Sequence, residues 1–289
     1  MAQILSGENL AKQVLLNLKK KRRKNLSLAV VQVGENQVSL KYITEKEKAA
    51  KALGIEFRLL LYPASVTQAM LVREIQKIGR DKKVSGMIVQ LPLPEHLNTQ
   101  VILDAIPQRK DVDVLSSSSF REFVFGTFPV LPPTVAAIAL LLKKTRKKLE
   151  GTHVAVVGAG RLVGLPVSVW LAQQGAVISL LQKETKNIPQ LIKKADVVIS
   201  GVGKAGLITG SMIKKGAVVI DAGTSISENV RRQASNISRA NKIVGDVDFK
   251  SVSKKAGYLS PVPGGVGPLT VACLLSNLIM LADASKTWR

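Results

Sequence analysis

Two kinds of apolar pattern alternate along this chain. Compact blocks rich in Val, Ile and Leu recur between stretches in which apolar residues return every three or four positions. The first kind predicts buried strands and the second amphipathic helices. Leu10, Val14, Leu15 and Leu18 predict an opening helix that ends in a basic run, Lys19 to Lys24. Strands are then predicted over 27–33, 55–61 and 86–90, with helices over 39–53 and 67–78 between them. Ser39 is the expected N-cap of the first of these helices. From Asp111 to Pro133 the rhythm lapses into four serines, a Phe-rich segment and three prolines, and a domain junction is placed there. A helix over 134–144 is expected to cross between the two bodies.

Alternation then resumes, with strands at 153–157, 176–181, 196–200 and 217–221 and helices at 162–174 and 188–195. Repeated strand–helix alternation with Val- and Ile-rich strands predicts an α/β protein with parallel sheets. The expected division is a first domain over 1–133 and a doubly wound, Rossmann-like dinucleotide domain over 134–269. A last helix from Thr270 is expected to pack back on the first domain.

Composition narrows the chemistry. The chain has 289 residues and one cysteine, Cys273, so an internal disulfide and a cysteine-rich metal site are excluded. Two histidines make a multi-histidine metal centre or a serine-histidine-aspartate triad hard to assemble. No metal is expected, and a reducing, cytoplasmic location fits the lone thiol. The start carries no signal-peptide pattern. The apolar run near 271–282 is interrupted by Ser276 and Asn277 and falls short of the roughly 20 residues of a bilayer span, so no membrane partner is expected. The net charge is +22, from 42 basic and 20 acidic residues. The basic clusters sit at predicted helix ends without interleaved aromatics. They read as solvated faces that steer anionic small molecules rather than as a nucleic-acid site, although that alternative stays open.

The segment Gly158-Ala159-Gly160-Arg161-Leu162-Val163-Gly164 joins a predicted strand to a predicted helix. Glycines there let a backbone approach a pyrophosphate, and the helix N-terminus offers aligned N–H donors. At the end of the next strand, where an acid would hold the ribose of NAD, stand Gln182 and Lys183. Lysine suits the extra phosphate of NADP, while Glu184 beside it carries the opposite charge.

Tyr42 and Lys46 are one helical turn apart on a predicted helix and share a face. Three distant segments give that pair its meaning: Gln90-Leu91-Pro92-Leu93-Pro94, Lys110-Asp111-Val112-Asp113, and the Pro/Gly-rich run from Ser260 to Thr270. Together they resemble the bifunctional methylenetetrahydrofolate dehydrogenase/cyclohydrolase family over nearly the whole chain. Ser39, Tyr42 and Lys46 match its Ser-x-x-Tyr-x-x-x-Lys segment. The resemblance implies two domains with a cleft between them. It implies oxidation of methylenetetrahydrofolate with NADP and hydrolysis of the methenyl product to formyltetrahydrofolate, in one-carbon metabolism and purine biosynthesis.

In that reading Lys46 is the base, Gln90 its orienter, Tyr42 a stacking and proton-network partner, and Asp113 the pterin anchor. Pro263, Gly264 and Gly265 border the substrate, and Gly203 and Thr224 join the glycine loop and Lys183 in holding the cofactor. A folate, with or without a polyglutamate tail, is the partner, and a homodimer the usual assembly. Alternatives are a Rossmann dehydrogenase for another small acid, a cyclohydrolase that has lost its cofactor site, and a basic nucleic-acid-binding protein. The chain departs from the family pattern at Val114, where glycine is usual, at Val130-Leu131, at Ala159-Gly160, at Gln182-Lys183 and at Ala205. If position 114 requires a positive φ, valine there is strained and Asp113 is affected.

Overall fold

A computed structural model describes residues 1–20, 25–226 and 243–284. The chain divides into two compact units, one formed by Ala11–Pro133 with Thr270–Arg289, the other by Met1–Leu10 with Thr134–Leu269. The basic run at 19–24 is only partly covered, since 21–24 lie outside the described residues.

In the first unit the strand Ser27–Val33 is flanked by Glu56–Tyr62 and Gly86–Val89, and all pair in parallel. Every residue of Ser27–Val33 is buried, as expected for a central strand covered on both faces. The helices Gln37–Ala52 and Gln68–Arg80 connect the strands. Leu71 and Ile75, one turn apart on the second helix, are fully buried and join Ala29, Val31, Met87 and Ile102 in one core cluster. Side chains of this size each contribute roughly 1.5–3 kcal/mol by burial.

Among the described residues, the second unit carries a parallel sheet of six strands in the order Gln3–Ile4, Tyr258–Leu259, Val218–Asp221, Val197–Ser200, His153–Val157, Val177–Leu181. From His153–Val157 the chain moves to one side for Val177–Leu181, then to the other for Val197–Ser200. That reversal is the switch point at which doubly wound sheets bind ligands, beyond the strand C-termini.

Four expectations need correction. The first ten residues lie with the second unit, because Gln3–Ile4 extends its sheet by pairing with Tyr258–Leu259. Ser39 is not the cap of its helix: Asn36 Oδ1 accepts from the Ser39 backbone N–H at 3.0 Å. The stretch after Asp111 holds the helix Ser117–Val124, with Ser116 as its cap accepting from Ser119 N–H. The four serines are therefore the cap and first turn of that helix, and the boundary between the units falls at the end of the stretch, between Pro133 and Thr134. The last helix starts earlier, at Val266, and runs to Ala284. At 19 residues it is long and apolar enough to cross a bilayer, yet 61% of its apolar window is buried within the protein. Its buried Asn277 donates to the carbonyls of Val112 and Leu131, tying the helix to the first unit.

Candidate active site

The helix Gln37–Ala52 brings Tyr42 and Lys46 to one side, and Lys46 is buried while Tyr42 is half-buried. Gln90 leaves the end of the strand Gly86–Val89, its own N–H donating to Val31 O at 2.8 Å. Its amide Nε2 donates to Leu91 O at 3.0 Å, which turns Oε1 toward the helix. Lys46 Nζ donates to that oxygen at 2.8 Å. Ser39 Oγ donates to the same Leu91 carbonyl at 3.3 Å, so the helix grips the Gln90 segment twice. The Leu91–Pro92 peptide is cis.

Asp113 lies close enough to Lys46 for each to feel the other's charge. Burial pushes the Lys46 ammonium below its ordinary value, and the Asp113 carboxylate opposes that shift. Burial pushes Asp113 up to about 6, with Lys46 drawing it down and Asp111 adding to the rise. The pair therefore brings an amine that loses its proton easily next to an acid that ionises late.

Behind Asp113 the backbone is strained. Val114 has φ of 58° and is fully buried. A β-branched residue in the left-handed region is a genuine outlier. What holds it there is Asp111, fully buried, whose carboxylate accepts from Leu115 N–H, Ser116 N–H and Ser116 Oγ. Asp111 draws residues 115 and 116 back over the turn, and residue 114 takes up the reversal.

In the second unit the expected cofactor residues gather at the C-terminal ends of the strands. Gly158 has φ of 93°, and a Cβ on it would lie 3.0 Å from Gly201 O. A Cβ on Gly164 would fall into the Gly158 carbonyl, so helix Gly164–Gln173 starts against the loop itself. Gly160 faces open space, and Ala159, Arg161, Leu162 and Val163 complete the turn. Gly203, with φ of 78°, neighbours Thr224, whose carbonyl lies 3.8 Å from where its Cβ would be. Lys183 is exposed just past the strand Val177–Leu181, which meets the loop through Gly158 N–H to Leu181 O at 2.8 Å. Pro263, Gly264 and Gly265 also belong to this unit, not to the unit of Lys46. There the Val262–Pro263 peptide is cis, and Gly264 O accepts from the N–H groups of Gly7 and Glu8.

Comparison with known proteins decides the family. Residues 5–113 match the catalytic domain, and residues 132–286 the NAD(P)-binding domain, of tetrahydrofolate dehydrogenase/cyclohydrolase. The chain belongs to this family. It is 35% identical to the Bifunctional protein FolD of Listeria innocua over 100% of this chain and 99% of that one. The structure of the FolD methylenetetrahydrofolate dehydrogenase/cyclohydrolase of Campylobacter jejuni superimposes with a TM-score of 0.90 at 34% identity, covering 99% of this chain and 100% of that one. The Trypanosoma brucei enzyme, solved with NADP and an inhibitor, gives 0.91 at 32% identity over 99% and 98%. As a tetrahydrofolate dehydrogenase/cyclohydrolase, this chain is an oxidoreductase and hydrolase of one-carbon metabolism that uses a nicotinamide dinucleotide.

Three buried carboxylates of this dehydrogenase/cyclohydrolase organise the turns around the expected site residues, a part that the sequence does not assign to them. Asp111 is one. The others are Asp221 and Asp246, both buried in the cofactor unit. Asp246 accepts from Ser200 Oγ and from the N–H groups of Val202 and Lys204, which flank Gly203. Asp221 accepts from the N–H groups of Gly223, Asp246 and Val247. Burial, with the charge of Asp246 adding, pushes Asp221 up to about 6 against those hydrogen bonds. Gly223 and Gly245 lie so close that a Cβ on either would strike the carboxylate of Asp246 or Asp221 respectively. Each carboxylate thus fits against a bare glycine beside the other. The available signal was an acid next to glycine at a strand end, in Asp221-Ala222-Gly223 and Gly245-Asp246.

Proposed function

We propose that Lys46 is the proton acceptor for methenyltetrahydrofolate hydrolysis, held by Gln90, and that this chain uses NADP for the preceding oxidation of methylenetetrahydrofolate. The observation that carries the reading is the buried Lys46–Gln90 hydrogen bond of 2.8 Å beside Asp113. The reacting carbon bridges two nitrogens, and loss of hydride leaves it in an amidinium cation. An ammonium beside that cation would be repelled, and burial already disfavours the charged form of Lys46. Neutral, its nitrogen still donates to Gln90 while its lone pair accepts the proton of the attacking water. Collapse of the tetrahedral carbon then breaks one C–N bond, with the hydroxyl proton passing to solvent and the departing nitrogen taking the proton held by Lys46, and the ring opens to the formyl product.

Asp113, once ionised, accepts paired hydrogen bonds from the adjacent N–H and amino donors of a pterin. Tyr42 presents a flat face to the aromatic part of the folate and a hydroxyl to the proton network.

The residues present fit a dinucleotide. The close backbone approaches at Gly158 and Gly164 put a loop without bulky side chains at the strand ends, and Gly160 leaves space there for a pyrophosphate. Gly203 and Thr224 border the same edge, and Lys183 would hold the 2′-phosphate of NADP. Bound NADP supplies the hydride acceptor. A homodimer in the cytoplasm and a polyglutamylated substrate complete the proposal, supported by the family resemblance and by the lone, buried Cys273.

Two spectrophotometric assays test the whole reading: reduction of NADP by methylenetetrahydrofolate, and decay of methenyltetrahydrofolate. Both activities are expected, with NADP preferred to NAD. Decay without reduction of either cofactor would leave a cyclohydrolase alone, and absence of both would refute the reading.

A further inference from the structure

The sequence distributes its basic clusters over separate helix ends, but the second unit gathers four of them at one edge. In a parallel sheet all strands start on the same side. The segments 143–152, 193–196, 214–217 and 254–257 precede the strands His153–Val157, Val197–Ser200, Val218–Asp221 and Tyr258–Leu259. Backbone hydrogen bonds run from one to the next: Asp196 N–H to His153 O, Val218 N–H to Asp196 O, and Gly216 N–H to Lys255 O. Lys214 Nζ pairs with Asp196 at 2.7 Å, and Asp196 also feels the charge of Lys147. The four segments form one continuous surface.

That surface carries eleven lysines and arginines, five in the first segment and two in each of the others, against two acids, Glu150 and Asp196. All the cations are exposed except Lys255, which is half-buried. Helix C-termini account for part of the pattern, since Lys143, Lys144, Lys193 and Lys194 lie in last turns and offset the helix dipole. Arg146, Lys147 and Lys148 lie beyond the helix end. Lys214, Lys215, Lys254 and Lys255 follow only single helical turns, Gly210–Met212 and Phe249–Val252, so dipoles do not explain them.

Neighbouring strands lie roughly 5 Å apart, so adjacent segments hold their like charges within about a Debye length, about 8 Å, and these repel one another. A chain of phosphates relieves that repulsion and gains entropy by releasing its counterions. The four segments contain no aromatic residue on which a base could stack. Their sole large aliphatic side chain, Leu149, is half-buried, so nothing is available to insert into a lipid layer.

We propose that this edge, at the ends of the strands remote from the cofactor loops, binds the phosphodiester backbone of nucleic acid without base preference. The proposal is independent of the folate reading, because it uses no residue of either site.

Fluorescence anisotropy with labelled 20-nucleotide poly-U RNA and oligo-dT DNA tests it. Both are expected to bind with similar affinity in low salt. Binding should fall with salt at a log–log slope of about −3 to −4, as for roughly five phosphate contacts. The variant K143E/K147E/K148E should bind at least about tenfold more weakly, whereas K77E/K82E/K83E, with the same change in net charge on the other unit, should stay within about twofold. Methenyltetrahydrofolate decay reports that both variants are folded. Equal weakening by the two variants would reduce the effect to net charge and overturn the proposal. So would a flat salt dependence, or binding to phosphatidylserine vesicles with none to either oligonucleotide.

Discussion

Lys46 and Gln90, forty-four residues apart, meet at 2.8 Å through Nζ and Oε1. The amide cannot turn away without losing its second bond, from Nε2 to the Leu91 carbonyl. Lys46 is therefore held on one side by an acceptor that carries no charge and does not stabilise the ammonium as a carboxylate would. Q90E would supply that carboxylate and raise the lysine's proton affinity. Methenyl hydrolysis in Q90E should then need a higher pH than in the wild type, with its acid limb displaced upward by about one unit or more. An unmoved pH–rate profile would mean that Gln90 does not control Lys46.

Asp113 acts in the opposite sense, since its charge keeps the Lys46 value from falling further. In D113N the acid limb of hydrolysis should move down in pH, and the folate KM should rise at least tenfold because the paired acceptor is lost. In the wild type the folate KM should fall as pH rises through about 6, where Asp113 ionises. The stability effect follows from the same shift. An acid whose value is raised in the folded state loses stability as pH climbs from its unfolded value to its folded one. D113N should accordingly gain about 1–3 kcal/mol over the wild type at pH 7.5 and nothing at pH 3. Denaturant unfolding at the two pH values measures it.

Val114 and Val112 are both fully buried, but only Val114 has a positive φ. V112G should cost about 3 kcal/mol or more, from lost burial and a cavity. V114G loses similar burial but recovers about 1–2 kcal/mol of left-handed strain, so it should cost clearly less. Chemical denaturation of the two variants decides it, and equal costs would mean that the turn is not strained.

The Asp246 carboxylate holds the two N–H groups that flank Gly203. D246A leaves those donors and Ser200 Oγ without their acceptor, at a cost of roughly 1–3 kcal/mol for each buried group. The variant should be less stable and its KM for NADP should rise by an order of magnitude, with the folate KM little changed. A parallel rise in both constants would point to general damage rather than to a misplaced cofactor loop.

How much of this was legible beforehand depends on the kind of interaction. The strand–helix alternation marked the parallel sheets, because buried Val and Ile blocks such as Ser27–Val33 declare themselves by composition. Tyr42 and Lys46 could be placed on one helix face from spacing alone. The Gly158 turn could be placed between strand and helix. Long-range polar contacts left no periodic trace. Nothing local distinguishes Asp111 from Asp113, yet one is fully buried and ties down a turn while the other keeps part of its surface. Asn36 outcompeted Ser39 as a cap through a preference that both residues share, and only the backbone at Asn36, with φ of −132°, decides between them. The pairing of Gln3–Ile4 with Tyr258–Leu259 joins chain positions too distant for any local pattern to reveal.

The role of Lys46 as proton acceptor is tested most directly by K46M, which keeps the length and apolar stem of the side chain and removes the amine. Stopped-flow decay of methenyltetrahydrofolate, measured on protein whose unfolding midpoint matches or exceeds the wild type, should show hydrolysis reduced to the uncatalysed rate. Enzymatic decay at the wild-type rate in that variant would contradict the account.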